Sequence, residues 1–288
     1  MLRRRGNKAR VLPRLLDAIP ADVNTFIDLF MGSGTITIAM LDRCSYVFAN
    51  DLDADVFNLF VVLKERPEEL RRTIKLMPVH EALFKHWKTN QETDPIWRAV
   101  RFLLLSNFSY LGHGNTLSIN LSHPKQCLLD AITPTAARFA TPGLSLLNCD
   151  FRRVLPKISW SRDIDKKHAF VYADPPYLGT RHNYQAGFVE QDTRDLFALL
   201  MASGLRFAVS EFEHPLILSI AETNGLYVNR LITRRNIQNR RIELLLTNYN
   251  ICPQQADIFH NSNLPKKLRT NNGGGGWNDT GLKRCSLT

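Results

Sequence analysis

Short unbroken apolar runs and longer stretches with helical spacing take turns along this chain. Residues 25–30 form one such run and predict a strand; it stops at Gly32-Ser33-Gly34, and residues 35–41 behind it carry the spacing of a helix. A second run over 46–49 ends in Asn50-Asp51 and leads into a helical pattern over 56–64. Strand, glycine turn, helix, strand and terminal acid together outline a βαβ unit. The rhythm returns at 144–147 and 170–173, followed by a helix near 193–201 and a strand over 206–210. Residues 227–233 and 242–249 then read as an antiparallel pair around the basic stretch 234–241. An α/β sheet with an antiparallel edge accounts for all of these elements.

Between 66 and 141 the alternation breaks. A helical stretch over 96–105 is followed by a loop over 106–124 rich in Gly, Asn, Ser and His. This predicts a mainly helical insertion, 66–141, in a domain built from 1–65 and 142–253. From 254 to 288 the chain is polar and without periodicity, and no chemistry is assigned to it.

Composition narrows the class of partner. A chain of 288 residues that is 44% hydrophobic can bury a full core. Its 37 Lys and Arg outweigh 27 Asp and Glu, and a net charge of +10 favours a polyanion through counterion release. No stretch approaches the roughly 20 apolar residues that cross a bilayer, so a soluble, intracellular protein is expected, with no membrane partner. The cysteines Cys44, Cys127, Cys149, Cys252 and Cys285 are odd in number and never spaced as CxxC, so neither a disulfide framework nor a zinc knuckle is expected. His80-Glu81 opens like a zinc-protease helix, but Phe84 stands where the second His is required, and no metal is expected.

Two motifs carry chemistry. Gly32-x-Gly34 between strand and helix lets backbone approach a ligand closely, and Asp51 at the next strand end suits ribose hydroxyls, so a nucleoside cofactor is implied. A P-loop is excluded, because no Gly-Lys-Ser/Thr follows. Asp174-Pro175-Pro176-Tyr177 follows the run at 168–173 and falls at the carboxyl end of a strand, where open α/β sheets bind ligands. The prolines stiffen the backbone and remove N–H donors, leaving carbonyls to face a hydrogen-bond donor. Asp174 and the Pro175 carbonyl suit the two hydrogens of an aromatic amine, and Tyr177 offers a ring for stacking.

In these motifs and their order the chain resembles the adenine-N6-specific DNA methyltransferases of the Dam-type, D12 class. The order is Gly6-Asn7-Lys8, Asp28-Leu29-Phe30-Met31-Gly32-Ser33-Gly34, Asn50-Asp51, an insertion, Asp150-Phe151, Asp174-Pro175-Pro176-Tyr177, and a closing strand from Arg241 through Glu243 to Tyr249. The resemblance implies a Rossmann-like S-adenosylmethionine-dependent methyltransferase sheet and a target-recognition insertion. It implies S-adenosyl-L-methionine contacts from Lys8, Asp28, Phe30, Gly32, Ser33, Gly34, Asp51 and Asp174, with Asp150 and Phe151 beside the adenine ring. Asp174, Pro175, Pro176 and Tyr177 would hold the target base.

The partner implied is double-stranded DNA, with the adenine flipped out of the helix. Asn107, His113, Asn115, Asn120 and His123 are candidates for base edges, Tyr184 for a loop closing over the base, and Arg234, Arg235, Arg240 and Arg241 for phosphates. Competing readings are a methyltransferase of the same architecture acting on cytosine N4 or an RNA base, a non-catalytic nucleic-acid-binding descendant, and a nicotinamide-dependent dehydrogenase. Asp at position 174 argues against the first, the intact Gly32, Gly34, Asp51 and Asp174 against the second, and the missing third glycine against the last.

Overall fold

The structure is a computed structural model and describes residues 8–109, 124–160, 163–178, 188–235 and 240–251. Seven strands form one sheet: β1 (Thr25–Asp28), β2 (Tyr46–Asn50), β3 (Leu144–Leu147), β4 (Ala169–Ala173), β5 (Arg206–Phe212), β6 (Tyr227–Arg235) and β7 (Arg240–Thr247). Their spatial order is β3-β2-β1-β4-β5-β7-β6. The first five are mutually parallel, and β7 runs antiparallel to both β5 and β6. This is the α/β sheet with an antiparallel edge that the pattern of runs predicts, and it is Rossmann-like as the resemblance implies.

Both faces of the sheet are covered, which is why every residue of β1 and of β4 is buried and not alternate ones only. Alternate side chains still go to opposite layers. Phe26, Phe170 and Tyr172 join one core, while Ile27, Val171 and Ala173 join the other. The first core lies under α1 (Leu12–Ala18), α2 (Thr35–Leu41), α3 (Ala54–Glu65), α4 (Pro67–Leu76), α5 (Glu81–Thr89), α6 (Pro95–Phe108) and α7 (Pro124–Phe139). The second lies under α9 (Glu190–Ser203) and α10 (Pro215–Thr223); the short α8 (Asp163–Lys167) precedes β4.

Residues 66–141 contribute α4 to α7, and these share one core with α2 and α3: Leu103 and Leu104 of α6 and Ile132 of α7 are buried with Leu59 and Phe60 of α3. Phe60 and Phe139 stack with ring centroids 4.9 Å apart. The helix expected over 96–105 runs on to Phe108, and α7 begins at Pro124, so the loop is shorter at its start than the sequence suggests. Ser106 and Asn107 satisfy their own polar atoms on the preceding turn, at the Phe102 and Leu103 carbonyls, which lets two loop-prone residues extend the helix. No helix among the described residues is long and apolar enough to cross a membrane.

Candidate active site

The strand order turns around between β1 and β4: β2 and β3 lie on one side of that pair, β5 and the hairpin on the other. Carboxyl ends of strands at such a reversal leave a crevice. The two motifs singled out in the sequence meet there, because Asp28 pairs in register with Tyr172, two residues before Asp174.

The glycine turn is held from beneath. Asp28 is buried; its Oδ2 accepts the Thr37 hydroxyl at 2.7 Å and its Oδ1 accepts the Phe30 N–H at 3.2 Å. Burial pushes this carboxyl up to about 7 against the pull of those two bonds. The contacts make Asp28 a brace for the turn. Gly32 and Gly34 have φ of +53° and +70°, conformations that favour glycine. A Cβ on Gly34 would stand 2.8 Å from the Phe60 ring, so both backbone and packing select glycine there. The Ser33 hydroxyl lies 2.9 Å from that of Thr35, at the start of α2.

From the side, β2 fixes the same turn. The Met31 N–H donates to the Asn50 carbonyl at 2.7 Å, and the Gly32 N–H donates to Asp51 Oδ2 at 2.7 Å. Asp51 Oδ1 accepts the Asp53 N–H at 2.9 Å, and Leu52 beside it is 57% exposed. Asn50 itself is buried and ties three strand ends together: its amide donates to the Leu29 and Cys149 carbonyls, and its Oδ1 accepts the Cys149 N–H. An Asn before a strand-end acid carries no signal of this role in the sequence.

Asp150 and Phe151 follow β3. Asp150 caps a 3-10 turn by accepting the Arg152 N–H at 2.9 Å. Phe151 sits 5.5 Å from Phe30 and 6.0 Å from Phe188, which is itself 5.9 Å from Phe30, so three rings form one cluster beside the crevice. The sequence pointed to two of them. Arg152 lies over the Phe151 ring and bridges Asp150, Asp192 and Asp195, tying this turn to the start of α9.

At the end of β4 the chain builds a charged cluster. The Lys8 ammonium, buried in a 3-10 turn at Lys8–Arg10, lies 2.8 Å from Asp174 Oδ1 and 2.6 Å from Glu243 Oε1 on β7. It also donates to the Tyr177 hydroxyl, which in turn donates to Glu243 Oε1 at 3.0 Å. The Tyr177 ring meets Phe212 edge-on at 4.4 Å. Pro175 is buried and Pro176 half-buried. Burial raises the Asp174 carboxyl above the usual range, and the Lys8 ammonium opposes it. Burial likewise holds the Tyr177 phenol well above its ordinary value, with Asp174 and Glu243 adding to the effect.

The sequence reading missed Glu243 and a second buried acid, Glu211, near the end of β5. Glu211 accepts the Phe212 N–H at 2.8 Å, and burial pushes its carboxyl up to about 8. The folded chain therefore keeps a proton that the unfolded chain releases near the ordinary value of 4.5. That contribution to stability is present at acid pH, is lost as pH rises from 4.5 to about 8, and is level above. Glu211→Gln is expected to melt higher than the parent at about pH 8, with the gap closing toward about pH 5. Thermal melts across that range check it, and a pH-independent gap would contradict it.

The remaining candidates are scattered. Asn107, next to last in α6, is half-buried, with its amide donating to the Leu103 carbonyl. His113, Asn115, Asn120, His123 and Tyr184 lie outside the described residues, as do Cys252, Cys285 and the tail. Arg234 pairs with Arg241, and Arg235 with Arg240, at the far end of the β6–β7 hairpin. His80 caps α5, accepting the Leu83 N–H at Nδ1. Cys44 and Cys149 are buried thiols and Cys127 is an exposed one.

The chain is 25% identical over 285 residues to the modification methylase StsI of Streptococcus sanguinis, an alignment covering 85% of this chain and 42% of that protein. It is 22% identical over 284 residues to the type II methyltransferase M1.LlaDCHI of Lactococcus lactis subsp. cremoris, covering 85% of this chain and 93% of that one. The chain thus spans less than half the length of the first relative and nearly all of the second. Among solved structures, an rRNA methyltransferase from Streptomyces viridochromogenes, aviRa, is similar with a TM-score of 0.36 and 16% identity, covering 86% of this chain and 83% of that one. Over residues 5–114, which hold Lys8, the braced glycine turn and Asp51, the chain matches the family model of the D12 class N6 adenine-specific DNA methyltransferases.

Proposed function

We propose that this chain transfers a methyl group from S-adenosylmethionine to the N6 amine of a flipped-out adenine in double-stranded DNA. The observation that carries the reading is the meeting of the glycine turn and Asp174 at the β1–β4 reversal. The residues fit the cofactor. Two positive-φ glycines give close backbone access, the Asp51 carboxylate at a strand end suits ribose hydroxyls, and exposed Leu52 beside it offers an apolar surface. Gly32, Ser33, Gly34 and Asp51 would hold the nucleoside moiety, with Phe30, Asp150 and Phe151 toward the adenine ring. Asp28 contributes through the turn it braces, and Lys8 through the Asp174 carboxylate it pairs with. When bound, the cofactor supplies a methyl group on a sulfonium sulfur, which leaves as a neutral thioether.

The acceptor amine is a poor nucleophile, because its lone pair is delocalised into the base. Hydrogen bonds from N6 to Asp174 and the Pro175 carbonyl favour a pyramidal nitrogen whose lone pair can attack in line. The nitrogen forms the bond to carbon, and the proton it then loses passes to Asp174 or to water. Tyr177 replaces the stacking the base loses on leaving the duplex. For the rest of the duplex, Arg234, Arg235, Arg240 and Arg241 would engage phosphates, while 66–141, with its loop residues His113, Asn115, Asn120 and His123, would read bases.

Sequencing DNA treated with the purified chain and S-adenosylmethionine, with a readout of modified positions, tests the reading. Methylated adenines recurring in one short sequence are expected. Methylated cytosines, or methylated RNA with untouched DNA, would replace it with one of the competing acceptors.

A further inference from the structure

We propose that Glu243 is a positioning residue for this reaction, holding Lys8 and Tyr177 in place around Asp174 before the base arrives. The inference rests on the methyltransferase reading above. Glu243 is fully buried in β7, between Ile242 and the run Leu244-Leu245-Leu246. A buried carboxylate survives in folded proteins when its charge is matched and its oxygens are hydrogen-bonded. Glu243 meets this condition through one oxygen: its Oε1 takes both the Lys8 ammonium at 2.6 Å and the Tyr177 hydroxyl at 3.0 Å, from residues remote in sequence.

Lys8 bridges two carboxylates, Asp174 on one side and Glu243 on the other. Glu243 thereby draws part of the ammonium's attraction away from Asp174, the group that has to accept a hydrogen bond from the substrate amine. It also pins the phenol oxygen while Phe212 meets the ring edge-on at an interplanar angle of 69°. Held at both ends, the Tyr177 ring does not have to be ordered when the base enters, which removes a cost from the productive complex. Neither function needs Glu243 to touch substrate or cofactor.

Glu243→Gln keeps the shape and removes the charge. With duplex DNA as substrate its kcat is expected to fall about 10- to 100-fold, the loss of one charge-assisted bond, while the KM for S-adenosylmethionine stays within about twofold. In a Lys8→Met background the same substitution should cost much less, because the two residues act through one contact. Should Glu243→Gln alone fail to fold, Glu243→Asp, which keeps the charge but draws it back from Lys8 and Tyr177, takes its place: a smaller fall in kcat with a moved Tyr177 signal is expected, and an unchanged kcat and signal would overturn the proposal.

An activity-independent arm uses tyrosine labelled with carbon-13 at Cζ, with the Tyr177 signal identified by its loss in Tyr177→Phe. The Tyr177 signal is expected to move in Glu243→Gln and to titrate at lower pH, since a neighbouring negative charge is gone. A folded Glu243→Gln protein with unchanged kcat, or with an unchanged Tyr177 signal and titration, overturns the proposal. A wild-type chain that methylates no DNA overturns the methyltransferase reading instead, and the Tyr177 signal still decides whether Glu243 positions that ring.

Discussion

Asp174→Ala is expected to lose about 100- to 1000-fold in methyl transfer while melting close to the parent protein. The two halves of that result have separate causes. In the proposed reaction the carboxylate is the charged acceptor at the mouth of the β1–β4 crevice, and without it the Pro175 carbonyl alone would face the substrate amine, too little to orient the nitrogen for in-line attack. The fold survives because Asp174 lies beyond the last residue of β4, its side chain is 18% exposed, and the Lys8 ammonium it leaves behind keeps Glu243 as a counter-ion. Tritiated-methyl incorporation into DNA, alongside a thermal melt, checks both parts. Retention of more than about a tenth of the activity would remove Asp174 from the chemistry.

Gly143→Ala is expected to be the most damaging single methyl group in the described fold. A Cβ there would stand 1.8 Å from the Ser45 carbonyl oxygen and 2.9 Å from its carbon, both backbone atoms at the entry to β2. The Val47 N–H donates to the Gly143 carbonyl at 2.9 Å, and Val47 pairs with Leu144 in the next register position. The clash cannot be relieved by turning a side chain. It has to part β2 from β3 at the base of the sheet, at a cost of about 3 kcal/mol or more. For a chain of this size that lowers the melting temperature by roughly 6–12 °C. Gly204 is the control. Its φ is +66° but nothing lies within 4 Å of an added Cβ, so Gly204→Ala carries backbone strain alone, about 1–2 kcal/mol. Calorimetry of the pair checks the comparison, and a Gly143→Ala protein that melts no lower than Gly204→Ala would contradict the close approach.

Much of the sheet was legible because its signals are local. The helix behind the glycine turn occupies residues 35–41 as the spacing predicts, and the strands at 144–147 and 206–210 differ from the structure by no more than a short extension. The helices of the insertion were harder. Pro134 lies inside α7, where it removes a backbone donor and argues locally against a helix. The helix forms because Leu128, Leu129, Ile132 and Phe139 are buried in the shared core. Tertiary packing outweighs the local cost.

The site was legible in part for the same reason. Gly32, Gly34, Asp51 and the Asp174 motif announce themselves at strand ends. Glu211 and Glu243 do not, because a single acid in an apolar run reads as a position facing solvent. β7 lies between β5 and β6, so Glu243 is interior, and its compensating charge comes from Lys8, 235 positions earlier. A lone carboxylate inside a strand such as Ile242-Glu243-Leu244-Leu245 was the available signal, and it becomes readable only once the strand is known to be internal. The role of Asp28 is another long-range fact. Its motif position suggests a ligand contact, whereas its bonds to Phe30 and Thr37 show it bracing the turn.

The most direct measurement is nucleoside mass spectrometry on duplex DNA incubated with the purified chain and S-adenosylmethionine carrying a deuterated methyl group, with Asp174→Ala run in parallel. Deuterated N6-methyldeoxyadenosine formed by the parent protein and nearly absent with Asp174→Ala is the expected result. Label in N4-methyldeoxycytidine, or no labelled nucleoside from a folded parent protein that binds the cofactor, would contradict the assignment of this site to adenine N6 methylation.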